Sequence, residues 1–154
     1  MEVKEAYVDY RLGKLLMSRG FDEPCEYYIV PEGLSGKMIG CDNMKEPHKK
    51  LRNSDLNFLN DAVSCPTIQM VISWLQTKGC YLNVESRFAR ELGSFGTKNV
   101  AVHTVIIKEE YGRYTGDEYL NFDLAIKDTI EHFLFMRRFE PIETDVHKKQ
   151  TERS

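Results

Sequence analysis

The chain has 154 residues, a net charge of −3 from 21 basic and 24 acidic side chains, and 42% hydrophobic residues. These figures suit one globular domain with a complete core and exclude a disordered chain. They also argue against a strongly basic nucleic-acid binder, and no apolar run is long enough for a spanning helix.

Glu2, Lys4, Glu5, Asp9, Arg11 and Lys14 stand where a signal peptide needs an apolar stretch, so a cytoplasmic protein is expected. The first helix is expected over residues 7–19, where Val8, Leu12, Leu15, Leu16 and Arg19 recur at helical spacing. Gly20 can close it in the left-handed conformation, with Phe21 folding back onto the last turn. Residues 25–30, CEYYIV, read as a strand ended by Pro31 and Gly33.

Residues 31–60 are the least regular part, an insertion punctuated by Gly33, Gly36, Gly40 and Pro47. A short helical turn at 54–60 would dock Leu56 and Leu59. A second helix follows, with Pro66 suited to its first position. Ile68, Val71, Ile72 and Leu75 form its apolar stripe, Trp74 lies on the flank, and Gly79 stops it. Residues 80–88 alternate as a half-buried strand, with Leu82, Val84, Ser86 and Phe88 on one face. ELGSFG, 91–96, reads as a loop, and 99–108 as a central strand apolar on both faces. Residues 109–118 read as a turn leading to a short edge strand at Tyr119 and Leu120. Asn121 is expected to cap a last helix, with Asp123 in its first turn. Its stripe is Phe122, Ile126, Ile130, Phe133 and Leu134, with Arg137 and Arg138 at its C-terminal dipole end.

The expected fold is therefore a single α+β domain over 1–142, followed by a polar tail, 143–154. A small, mainly antiparallel sheet of three to four strands packs against three helices.

Several candidate chemistries can be weighed on residue type and spacing. GLSGKMIG, 33–40, looks like a phosphate-binding loop, but Pro31 replaces its first glycine and Met38 its hydroxyl, so a turn is expected. The cysteines, Cys25, Cys41, Cys65 and Cys80, form no C-x-x-C pair, and reduced, packed thiols are expected rather than a metal site. His48, His103, His132 and His147 form no ligand pair, and His132 follows Asp128 by one helical turn. Cys80 with His103 is the best available nucleophile and base, should the fold bring them together. Glu109, Glu110, Asp117 and Glu118 are expected to keep an edge soluble. No cofactor is called for.

For binding, two candidate sets stand out. Lys45, His48, Lys49, Lys50 and Arg52 form a basic stretch that could touch phosphates. Tyr27 and Tyr28, with Tyr111, Tyr114 and Tyr119, could supply a protein-binding surface. Residues 66–134 could follow the αβββα order of double-stranded-RNA-binding domains. That family opens its last helix with lysines, where this chain has Asn121, Phe122 and Asp123.

Gly20, Phe21, Cys25, Tyr27 and Tyr28, then Pro66, Thr67, Gln69, Met70, Trp74 and Leu75, form two familiar stretches. Together with the late helix NFDLAIKDTIEHFL they resemble small uncharacterised proteins of prophage and mobile-element regions in gut Bacteroides-type bacteria. Those proteins continue with Arg-Glu after Trp-Leu, where this chain has Gln76 and Thr77. The resemblance implies a phage or mobile-element origin and assigns no activity. The expected function is that of a non-enzymatic accessory protein acting through contacts with a protein partner or a second copy. The alternative is a nucleic-acid-binding module using the basic loop 45–52. No membrane partner is expected.

Overall fold

The structure is a computed structural model and describes residues 6–32, 35–41, 50–56, 61–93, 95–137 and 139. The expected tail lies outside them. The described residues form an α+β fold with three α-helices and two three-stranded antiparallel sheets, where the sequence pattern predicts one sheet.

Helix α1 (Tyr10–Ser18) starts where the Asp9 carboxylate accepts from the Leu12 N–H, at 2.8 Å. It is shorter than predicted because the chain before Asp9 is extended. Tyr7 bridges to Thr67, and the Val8 N–H bonds the Pro66 carbonyl. The helix ends as expected. Gly20 sits at φ 91°, the Phe21 N–H reaches back to Leu16 O, and the Phe21 ring is buried.

The first sheet has the order β2-β1-β3, from β1 (Tyr27–Glu32), β2 (Ser35–Gly40) and β3 (Val63–Ser64). Pro31 does not end β1. It pairs with Gly36 on the β2 side, and β3 pairs with β1 only at Tyr28 and Ile29, so its missing N–H leaves no ladder bond unmade toward β3. The segment expected as a turn is therefore largely β2. Glycine is needed there because a Cβ on Gly36 would lie 2.3 Å from Ile29 Cγ2 and 2.9 Å from Tyr10 Cβ. The predicted helical turn is a 3₁₀ turn at Asn53–Leu56, with Leu56 buried. Leu59, its other expected anchor, lies outside the described residues.

Helix α2 (Ile68–Thr77) is capped by Thr67, whose hydroxyl accepts from the Met70 N–H, so Pro66 stands one position outside the cap rather than inside the helix. Gly79, at φ 79°, closes it. Trp74 is buried rather than flanking, edge-on to both Phe21 and Phe139.

The second sheet has the order β4-β5-β6, from β4 (Tyr81–Gly93), β5 (Gly96–Glu109) and β6 (Gly112–Tyr119). Strand β5 is central, as its pattern predicts. Strand β6 occupies the stretch expected as a turn. Its Gly116 passes so close to α3 (Phe122–Met136) that a Cβ would lie 2.3 Å from Thr129 Oγ1. These three strands with α2 and α3 do follow the αβββα order.

Helix α3 is capped by Asn121, whose side chain accepts from the Leu124 N–H. Ile126, Ile130, Phe133 and Leu134 are buried, but Phe122 is exposed and rests edge-on against His103. Arg137 pairs with Glu109 rather than serving only the helix dipole, and Arg138 lies outside the described residues. Arg19, the C-cap of α1, donates instead to the Leu134 and Phe135 carbonyls. Helix α1 thus touches β1 and β3 on one side and α3 on the other. One core joins Leu16, Ile29, Val71, Val105 and Ile130, and a smaller one holds Tyr28, Cys41, Leu51, Leu56 and Ala62.

Candidate protein-interaction surface

The residues expected to bind are placed in three ways. Lys45, His48 and Lys49 lie outside the described residues. Lys50 is exposed beside a small cleft shared with Tyr7, Glu26 and Cys65. The Arg52 guanidinium donates to the Asp22 carbonyl at 2.7 Å, so it holds a loop rather than facing a ligand. Tyr28 is buried in the smaller core, and Tyr27 is half-buried edge-on to Tyr7, so this pair packs the interior and offers little surface. Of the other tyrosines, Tyr111 is exposed and Tyr114 packs on Phe133.

Cys80 and His103 are not brought together. Cys80 precedes Tyr81, which pairs with Lys108, whereas His103 pairs with Ser86, about 17 Å further along the strand. His103 Nδ1 shares a hydrogen bond with the Ser86 hydroxyl at 2.6 Å. Burial pushes the Cys25 and Cys65 thiols up to about 12, and burial with the Glu109 carboxylate pushes Cys80 up to about 11. A protonated, enclosed thiol is a poor nucleophile. At pH 8 Cys25 and Cys65 are expected to react with iodoacetamide roughly a thousandfold, and Cys80 roughly a hundredfold, more slowly than a free cysteine, with normal rates restored in denaturant. Peptide mass spectrometry reads this, and rapid native labelling of Cys25 or Cys65 would contradict it. The same shifts set an alkaline limit. Thiols held protonated by the fold stabilise it below the ordinary value of 9.0, and that stabilisation fades as pH climbs from there towards 12.

Among the described residues no group of three His, Cys, Asp or Glu side chains is placed to hold a metal, and no helix is long and apolar enough to cross a membrane. A groove of about 500 Å³ lies between α1 and α3. Its walls carry Lys14, Leu15, His132 and Phe135, and its opposite charges, Arg11 and Glu131, close on each other at 2.5 Å.

The most distinctive surface is made by β4 and β5. Strand β6 pairs with β5 only from His103 to Glu109. Beyond it, among the described residues, 87–93 and 96–102 pair only with each other, and Gly96 stands at φ 108° where the second strand begins. This two-stranded arm carries the inner face of the sheet past the helices that cover it. Leu82 and Val84 pack on the core, whereas Phe88 is 79% and Leu92 83% exposed, and Phe95 at the tip is fully exposed. Large apolar side chains gathered on one projection mark a contact surface more than scattered ones do. No family model, no curated protein and no solved structure matches this chain.

The alternating pattern places Phe88 correctly on the inward face but does not tell that the cover stops before it. Leu92 and Phe95 lie in the stretch read as a loop. Two large apolar residues on either side of Gly93 are the available signal, since a turn that only joins strands has no need of them.

Proposed function

We propose that this chain is a non-enzymatic accessory protein that works through protein–protein contacts, with the β4–β5 arm as its contact surface. The observation that carries this reading is the arm's exposed series Phe88, Leu92 and Phe95. Aromatic anchors at the centre of a contact supply most of its binding energy, and they are costly to leave in water. A phage or mobile-element origin rests on the resemblance alone.

The test places a photo-crosslinking amino acid at Phe95 in the full chain, expressed in its native host. A discrete adduct is expected, and Leu92→Asp should reduce it at least about tenfold, as loss of one buried anchor does. The same probe at the exposed Tyr111 serves as control. Equal, diffuse labelling at both positions would overturn the reading.

A further inference from the structure

We infer that β4 pairs edge to edge with β4 of a second copy, antiparallel about a two-fold axis through Ser86. The inference rests on reading the arm as a contact surface, and it names the partner. Strand β4 is 13 residues long and stands at the edge of its sheet. Among the described residues β5 is its only strand partner, so half of its backbone N–H and C=O groups point outward. Edges of this length are ordinarily shortened, covered, charged or broken by proline. Strand β4 has no proline, and its charges, Glu85, Arg87, Arg90 and Glu91, carry both signs and can pair with a second copy.

The sequence of the strand selects a register. When a strand pairs with itself about a two-fold axis normal to the sheet, each face must meet the same face, so the axis runs through a residue. An axis at Ser86 sets Glu85 opposite Arg87 twice on the outer face and Val84 opposite Phe88 twice on the inner face. An axis at Glu85 or Arg87 sets a charge against itself, and one at Phe88 sets Glu85 against Glu91. An axis at Ala89 pairs Arg87 with Glu91 but sets no large apolar residue against another and shortens the paired stretch. Opposed unlike charges stabilise a strand pair and like charges disfavour it. Ser86 is the one axis that combines charge pairing with apolar pairing.

This register also accounts for the arm. Residues 87–92 of each copy lie alongside residues 80–85 of the other, so the arm's overshoot past β6 matches the open edge it fills. Leu82 and Val84, only half-buried at that edge, receive Arg90 and Phe88 of the second copy. On the outer face Arg87 donates to Glu118 at 2.6 Å and 2.9 Å, across β5, so it exchanges this exposed contact for the incoming Glu85 when the edges pair. The product is a continuous six-stranded antiparallel sheet, a strand-addition contact between identical edges.

The experiment uses the full chain in sedimentation and light scattering at about 100 µM, within reach of a micromolar dimer. A mass of twice 17.9 kDa is expected. Glu85→Arg and Arg87→Glu should each raise the dissociation constant at least about tenfold. Their equimolar mixture should restore the dimer, because one chain then carries arginine at both positions and faces a chain that carries glutamate at both. Ser86→Cys, at the axis, should give a disulfide-linked dimer under mild oxidation, whereas Tyr81→Cys should not. If Arg87→Glu unfolds through loss of its bond to Glu118, Glu85→Arg and Ser86→Cys still decide. A monomer at this concentration, or a dimer indifferent to Glu85→Arg and to Ser86→Cys, overturns the inference. Phe95 lies outside the paired stretch, so a monomer that still forms the Phe95 adduct sinks the dimer alone. Absence of both sinks the arm as a contact surface.

Discussion

Replacing Asn53 with alanine is expected to destabilise the protein by about 2–5 kcal/mol, although Asn53 sits in the most irregular part of the chain. Its amide is buried and uses both ends. Nδ2 donates to the Phe21 carbonyl at 2.7 Å, and Oδ1 accepts from the Ser64 N–H at 2.8 Å. Phe21 closes α1 and Ser64 lies on β3, so one side chain joins the end of the first helix to the first sheet. Alanine leaves a buried carbonyl and a buried N–H without partners, each costing about 1–3 kcal/mol, and adds a small void. Aspartate is not a rescue: it keeps the acceptor for Ser64 and turns a second oxygen towards the Phe21 carbonyl. Urea unfolding should show a lower midpoint at unchanged slope for both variants. A loss below about 1 kcal/mol for Asn53→Ala would show that water replaces both bonds and that the segment is not a structural joint.

The neighbourhood of Asn53 explains why it was invisible in the sequence. Ser54 bonds the Asp22 carboxylate through both its N–H and its hydroxyl, Arg52 holds the Asp22 carbonyl, and Leu51 exchanges backbone bonds with Cys25. Every one of these partners lies about 30 residues away. Nothing local separates a buried asparagine from a solvated one in a polar stretch. Helix ends are the opposite case. Gly20, Gly79 and Asn121 act on groups within a few residues, and each terminus was legible from its own composition. Glycines with distant reasons misled: Gly36 and Gly116 punctuate strands because another element passes close by, and they look the same as glycines that turn a chain. The arm was hidden for a related reason. Alternation shows which face Phe88 is on, and only the packing of the helices shows where their cover ends.

Gly116→Ala carries the second large effect, an expected loss of about 2–3 kcal/mol. Two terms compete. Alanine in a strand restrains the unfolded chain and by itself contributes about 0.4–1 kcal/mol of stability. Against this, its Cβ would stand 2.3 Å from Thr129 Oγ1, 2.9 Å from Cγ2 and 3.1 Å from Cβ. Thr129 is buried on α3, the helix that covers β5 and β6, so it cannot yield without moving the helix off the sheet. The clash therefore outweighs the backbone gain. Shortening the helix residue reverses the argument. Thr129→Ala removes the two nearest atoms, along with a buried hydroxyl that has no hydrogen-bond partner among the described residues. Alone it should change stability by no more than about 1 kcal/mol, because the lost methyl and the relieved hydroxyl offset each other. Combined with Gly116→Ala it should recover at least about 1 kcal/mol of the loss, a coupling that only residues in direct contact show. Thermal melts of the four proteins in this cycle measure it. Strict additivity would mean that β6 and α3 separate without hindrance at Gly116, and that the glycine is there for the bend of the strand rather than for the closeness of the helix.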